Sequence, residues 1–142
     1  LFPNLTVQGL GDPNYAYSLL KQYKGEWEFD TNWKMIFGHP KTAGWIKAIQ
    51  EAQQTVQKGL KLDCPILVMS SNKSFPETET WNEEYMTSDI GLDVQDIQKY
   101  GEKLGDKVTR DTIPNGIHDL ILSQKPYRND AYQTIFEWLK KQ

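Results

Sequence analysis

One cysteine, two histidines and no surplus of positive charge exclude several classes of function at once. A lone Cys64 permits no intramolecular disulfide, and no Cys or His spacing matches a four-ligand zinc site. His39 and His118 are separated by 78 residues with no clustered cysteine, so no metal is expected. The net charge is −3 and the isoelectric point about 5.4. Phosphate binding needs an excess of Lys and Arg, which argues against a nucleic-acid partner. Lys140 and Lys141 sit where cations suit the end of a helix. The longest unbroken apolar run, Ile66 to Met69, is far too short to span a membrane. Asn4-Leu5-Thr6 and Asn72-Lys73-Ser74 match glycosylation acceptors, but no signal peptide precedes them. A reduced, cytoplasmic setting is the expectation.

The chain has 142 residues, about one domain, of which 38% are hydrophobic, with a mean hydropathy of −0.66. Such polarity fits an ordinary acidic protein, or one lacking the most apolar part of a larger core. Residues 1 to 41 are rich in Gly, Pro, Asn and aromatics. Asp12-Pro13 opens a short helix through Tyr15, Leu19 and Leu20, ending near Gly25. Trp27, Phe29, Trp33, Met35, Ile36 and Phe37 follow without a clean period. Between 42 and 58, Trp45, Ile49, Ala52 and Val56 recur at helical spacing, with Thr42 as N-cap and Gly59 at the C-terminal turn.

From residue 60 the pattern alternates. Pro65 to Met69 reads as a strand buried on both faces, the habit of parallel sheets. A polar loop runs to Ser88. Asp93 caps a helix to Leu104 whose stripe is Val94, Ile97, Tyr100 and Leu104. Lys107 to Ile113 reads as a second strand, closed by Pro114-Asn115-Gly116. A last helix begins near Tyr127, with Tyr132, Ile135, Phe136 and Leu139 facing inward. This order implies an α/β fold with two parallel core strands and helical crossovers. Two strands do not make a stable sheet alone. The chain therefore reads as incomplete, an expectation that its start at Leu1 rather than Met reinforces.

In open α/β sheets, functional groups lie beyond the carboxyl ends of the strands. Asp89 follows the first strand and His118 the second. An imidazole so placed serves as a general base if a carboxylate fixes its tautomer, or is simply a hydrogen-bonded turn histidine.

The stretch from Asp63 onward resembles the closing third of α/β-hydrolases of the serine aminopeptidase and lysophospholipase-like group. The likeness rests on the strand Cys64-Pro65-Ile66-Leu67-Val68-Met69, on Asp89-Ile90-Gly91-Leu92-Asp93 and on Gly116-Ile117-His118-Asp119-Leu120. The terminal Phe136-Glu137-Trp138-Leu139 also fits. Residues 1–59 resemble, less specifically, the helical cap inserted over the active site of this fold, leaving 60–142 as the C-terminal half of the core.

The resemblance implies Asp89 as the triad acid and His118 as the base. Asp93 is the rival acid, but capping its helix explains it better. Asp119 should point away from the imidazole and serve the turn. The family's nucleophile sits in a G-x-S-x-G elbow earlier in the chain. None of Ser18, Ser70, Ser71, Ser74, Ser88 and Ser123 has that context, so the nucleophile is expected upstream of Leu1 and this chain alone is expected to be inactive. Trp27, Phe29 and Trp33 are candidates for lining an apolar substrate pocket, or equally for the cap's own core. Cys64 is expected to be a small buried residue. The implied function is hydrolysis of a carboxylic ester of lipid-like kind, with no cofactor. The implied partners are the missing N-terminal half and the ester substrate, and the fragment is expected to associate with itself. Rival readings are a peptidase or thioesterase on the same scaffold, or a binding module that lacks a working triad.

Overall fold

The computed structural model describes residues 2–8 and 11–142. Its elements in chain order are β1 (Thr6–Gln8), α1 (Asn14–Leu19), β2 (Lys41–Thr42), α2 (Ala43–Lys58), β3 (Ile66–Ser71), α3 (Val94–Gly101), β4 (Val108–Ile113) and α4 (Lys125–Leu139). Short 3₁₀ turns cover Glu83–Met86, Glu102–Leu104 and Leu120–Leu122. β1 and β2 form a small antiparallel pair. β3 and β4 run parallel and in register from Ile66 opposite Val108 to Ser71 opposite Ile113. The chain is thus mixed α/β, with one two-stranded parallel sheet. Among the described residues no helix is long and apolar enough to cross a membrane.

Local chemistry explains the helix ends. Thr42 Oγ1 accepts the Trp45 N–H at the start of α2, and Gly59 closes that helix at φ 98°, a value that favours glycine. Asp93 Oδ1 accepts the Gln95 N–H and so caps α3, which tightens into 3₁₀ geometry over its last residues. Pro126 occupies the first turn of α4, where a missing N–H costs nothing.

α1 is shorter than the helix expected through residue 25. Leu20 is already extended at φ −77° and ψ 128°. The chain then doubles back, so that the Trp27 N–H bonds the Leu19 carbonyl and the Lys21 N–H bonds the Trp27 carbonyl. Gly25 makes this return possible, because a Cβ there would lie 2.1 Å from the Leu19 carbonyl. Its role is close approach, not helix termination.

The best-buried side chains gather around α1, the 83–86 turn and the carboxyl end of β4. Leu19, Tyr85 and Ala131 are fully buried, and Ala16, Leu20, Ile113 and Ile117 nearly so. Tyr85 lends this cluster a polar pin: its hydroxyl donates to Asp12 Oδ2 at 2.9 Å and accepts the Thr78 N–H at 2.8 Å.

Elsewhere burial falls short of the expectation from periodicity. β3 is only half-buried from Ile66 to Met69, rather than buried on both faces. α2 buries no side chain fully, and Trp45 and Ile49 are exposed. On α4 only Ala131 is fully buried; Tyr132, Phe136 and Leu139 face solvent, with the Tyr132 and Phe136 rings stacked. Cys64 is exposed as well, just before β3. The reason is geometric. Two strands about 5 Å apart offer too narrow a platform to cover helices about 10 Å wide on their inner faces. The accessible surface is 9470 Å² for 16.5 kDa. A folded monomer of that mass exposes about 7,500 Å².

Two consequences are measurable. Gly25→Ala should destabilise the fold by about 1–3 kcal/mol or more, as forced overpacking does, read as a lower urea midpoint. The isolated chain should associate with itself through the uncovered faces. Sedimentation velocity should show a mean sedimentation coefficient that rises with concentration, and a monodisperse monomer throughout would contradict the role given to those faces.

Candidate active site

Parallel pairing puts the carboxyl ends of β3 and β4 side by side, and both connections that leave them return to the same place. The loop after β3 is drawn in by reciprocal backbone bonds, Asp89 N–H to the Lys73 carbonyl and Phe75 N–H to the Asp89 carbonyl. Ser74 Oγ fastens it to α3 by donating to the Leu92 carbonyl and accepting the Val94 N–H. After β4, the Gly116 N–H bonds the Ile113 carbonyl across a turn that holds Asn115 at φ 59°. The Ile117 N–H then donates to the buried Ser123 Oγ.

Asp89 and His118 meet at this point. His118 Nδ1 lies 3.0 Å from both Asp89 oxygens. Asp89 Oδ1 also accepts the Gly91 and Leu92 N–H groups, each at 2.8 Å. The carboxyl is 2% exposed, whereas the His118 side chain is 37% exposed. The acid is sealed and the base is accessible. An ionised carboxylate only accepts, so Nδ1 carries the proton and Nε2 of the neutral ring has a free lone pair.

Electrostatics follow from these contacts. Burial pushes the Asp89 carboxyl upward, but the His118 hydrogen bond and the two backbone N–H groups outweigh it and hold its pKa below the usual value. The same hydrogen bond raises the His118 pKa against the opposing effect of burial, with further help from the charges of Asp89 and Asp119.

His118 borders a cavity of about 240 Å³, walled on its apolar side by Ala16, Ile36, Phe37 and Ile90. Gly91 forms part of the floor. A Cβ there would come within 3.3 Å of His118 Nδ1, so glycine lets the imidazole lie flat against the loop.

The other candidates from the sequence lie elsewhere. Asp93 caps α3 and, among the described residues, bonds no imidazole. Trp27, Phe29 and Trp33 do not line the cavity at His118. Trp27 is held at α4 instead, its Nε1 donating to the Leu122 carbonyl at 2.8 Å and its ring lying under Arg128. Phe29 is half-buried outside the cavity, and Trp33 is 86% exposed. The apolar wall comes instead from Ile36 and Phe37 of the same aromatic stretch. Periodicity held no signal to separate these residues.

All six serines have hydrogen-bond partners other than His118. Ser18 donates to the Tyr15 carbonyl, Ser70 to the Ser71 carbonyl and Ser88 to Glu84, while Ser71 accepts the Lys73 N–H. Ser74 and Ser123 hold the two loops as described. Cys64 precedes β3 and lies at the opposite end of the sheet. No hydroxyl or thiol nucleophile of this kind is therefore paired with the base among the described residues. What the arrangement offers is an oriented imidazole able to take up a proton at Nε2. No protein-family model matches the chain, and neither curated proteins nor solved structures give a match.

The pair makes the following pH behaviour testable. In an NMR titration His118 should titrate above the ordinary 6.5, and Asp89→Asn should lower that value. Because the Asp89 pKa is depressed, its stabilisation is present above about 3.8 and fades as pH falls through the folded value. Because the His118 pKa is raised, its share is full below about 6.5 and fades as pH rises through the folded value. The stability lost in Asp89→Asn should therefore be largest between these two limits, and a loss independent of pH would contradict the ion pair.

Proposed function

We propose that this chain carries the acid and the base of a serine hydrolase of the α/β-hydrolase type, acting on a carboxylic ester. The observation that carries the reading is the contact of His118 Nδ1 with a sealed Asp89 beyond the carboxyl ends of two parallel strands, with His118 also bordering a cavity that has an apolar wall. That is the arrangement an acyl-transfer base needs. Residues 60–142 then form the C-terminal half of the core. Residues 1–59 act as the cap, a role supported by the cavity lining from Tyr15, Ala16, Ile36 and Phe37. A cytoplasmic setting belongs to this reading, on the strength of the single unpaired cysteine.

The nucleophile in this proposal is a serine on polypeptide outside the 142 residues, since the six serines here are otherwise engaged. His118 Nε2 takes the serine proton as its oxygen attacks the ester carbonyl. The imidazolium, stabilised by Asp89, returns that proton to the departing alcohol and leaves an acyl-enzyme. A water molecule then gives its proton to Nε2 and attacks the acyl carbon. The imidazolium returns that proton to the serine oxygen as the acyl bond breaks, releasing the acid and restoring the enzyme. At about 240 Å³ the cavity is smaller than the 300–1,000 Å³ typical for whole ligands. It fits one end of an ester, such as a short acyl group or the reacting end of a longer lipid-like chain. The uncovered apolar faces support a partner that completes the core.

A second reading, a binding module that keeps the fold without catalysis, is favoured by one observation, the engagement of every serine away from His118. Labelling with a fluorophosphonate probe separates the two. The intact hydrolase should be labelled on a serine outside this chain, and the 142 residues alone should not. His118→Ala should abolish ester turnover, and Asp89→Asn should lower kcat by roughly 10⁴, the loss typical of a tautomer-orienting acid. Asp93→Asn should leave turnover intact. Turnover retained in His118→Ala, or a labelled serine within these residues, would overturn the assignment.

A further inference from the structure

Asp119 follows His118 directly, yet its carboxylate turns toward α1. Tyr15 Oη donates to Asp119 Oδ2 at 2.6 Å, and the Asp119 N–H donates back to Tyr15 Oη at 3.2 Å. One side chain of α1 thus grips both the backbone and the side chain of the residue beside the base. Lys34 Nζ adds a charged hydrogen bond to the same Oδ2 at 3.2 Å and lies 5.6 Å from the centre of the Tyr15 ring. The Tyr15 ring stands edge-on to the imidazole, with centroids 6.4 Å apart and planes at 71°.

This geometry leaves Tyr15 unsuited to chemistry of its own. Burial, and then the hydrogen bond to Asp119, drive its pKa far above the ordinary value, so it stays a phenol. Its one proton is committed to Asp119. What Tyr15 supplies is position.

The imidazole needs that help. Its bond to Asp89 fixes Nδ1 but leaves the ring able to pivot about that contact and to travel with its turn. On one side the Ile117 N–H is held by Ser123, and Gly91 supports the ring from below. On the other side Asp119 is held by Tyr15 and Lys34 at its carboxylate and by the Leu122 N–H at its carbonyl. Of these, Tyr15 alone also stands against the imidazole ring. A shift of about 1 Å at a reacting group costs on the order of 10² in rate. Charge is balanced in the same stroke. Asp119 favours the imidazolium and Lys34 opposes it. The other charged groups around the ring are Asp89 at its Nδ1 and Asp12, Lys41 and Glu77 around the cavity.

We propose that Tyr15, Asp119 and Lys34 form a clamp that positions His118, so that placement of the base depends on the cap-side segment as well as on Asp89. Its purpose rests on the hydrolase reading, but its geometry does not, and the first test is independent of turnover. Tyr15 and Asp119 are positioning residues in this scheme, not catalytic ones.

The experiment is an NMR titration of the two histidines in this chain and in the variants Tyr15→Phe, Asp119→Asn, Lys34→Met and Tyr15→Phe/Asp119→Asn, with unfolding midpoints measured alongside. Asp119→Asn should lower the His118 titration midpoint and Lys34→Met should raise it. Tyr15→Phe should shift His118 too, and add little once Asp119 is replaced, because it acts through that residue. Unmoved His118 midpoints with lowered unfolding midpoints would reduce the cluster to a fastening of α1 and overturn the proposal. If a Tyr15 or Asp119 variant does not fold, Lys34→Met, which alters a half-exposed side chain, decides alone: a raised midpoint supports the clamp and an unchanged one overturns it. In the intact hydrolase Tyr15→Phe should reduce kcat about tenfold with little change in KM. Expected NMR shifts in a protein that hydrolyses no ester would support the clamp and remove only the hydrolase reading.

Discussion

The in-register parallel ladder between β3 and β4 is the constraint on which the rest depends. Strands that run together end together, so Ser71 and Ile113 finish opposite one another. Whatever follows each strand emerges on the same edge. Asp89 is 18 residues beyond β3 and His118 five beyond β4. Sequence distance alone would not bring them together. The ladder supplies the common edge, and the backbone bonds between Asp89 and the 73–75 segment return the longer loop to it.

Burial is distributed to suit that site and not the sheet. The sealed residues, Tyr85, Leu19, Ile113, Asp89 and Ser123, lie in α1, the 83–86 turn, the carboxyl end of β4 and the loops that carry Asp89 and hold the His118 turn. The apolar faces of α2 and α4 remain uncovered. Stability in this chain therefore concentrates where the geometry is most demanding, and polar groups buried there have partners: among the described residues no buried side-chain nitrogen or oxygen lacks one. An uncovered helix face loses hydrophobic free energy, whereas an unpaired buried carboxylate would cost far more. Asp89 is tolerable at 2% exposure only because two backbone N–H groups and an imidazole converge on it.

The segment before β3 is woven into the same place. Tyr15 reaches Asp119, Asp12 reaches Tyr85, and Glu26 takes the Lys125 N–H and pairs with Arg128 at the start of α4. A chain read as cap and core is joined by polar contacts between residues about 70 to 100 apart. The aromatic stretch divides along the same lines. Trp27 fastens the segment to the 120–122 turn and, under Arg128, to α4, and Ile36 and Phe37 wall the cavity.

Much of the fold was legible from residue order because its causes are local. Thr42, Asp93 and Gly59 terminate helices through bonds within a few residues, and the apolar run at 66–69 has no stable home but a strand. The identities of Asp89 and His118 as groups beyond strand ends were legible for the same reason. What the order of residues could not contain is the outcome of long-range contact. Tyr15, Lys34 and Gly91 carried no signal, since their partners lie 104, 85 and 27 residues away. The doubling back at Gly25 cut short a helix that periodicity extended. The inward faces assigned to α2 and α4 are inward only if something covers them, and two strands are too few. Local hydrogen bonding and patterning are written in neighbours; which surfaces meet is a property of the whole chain, and only tertiary structure decides it.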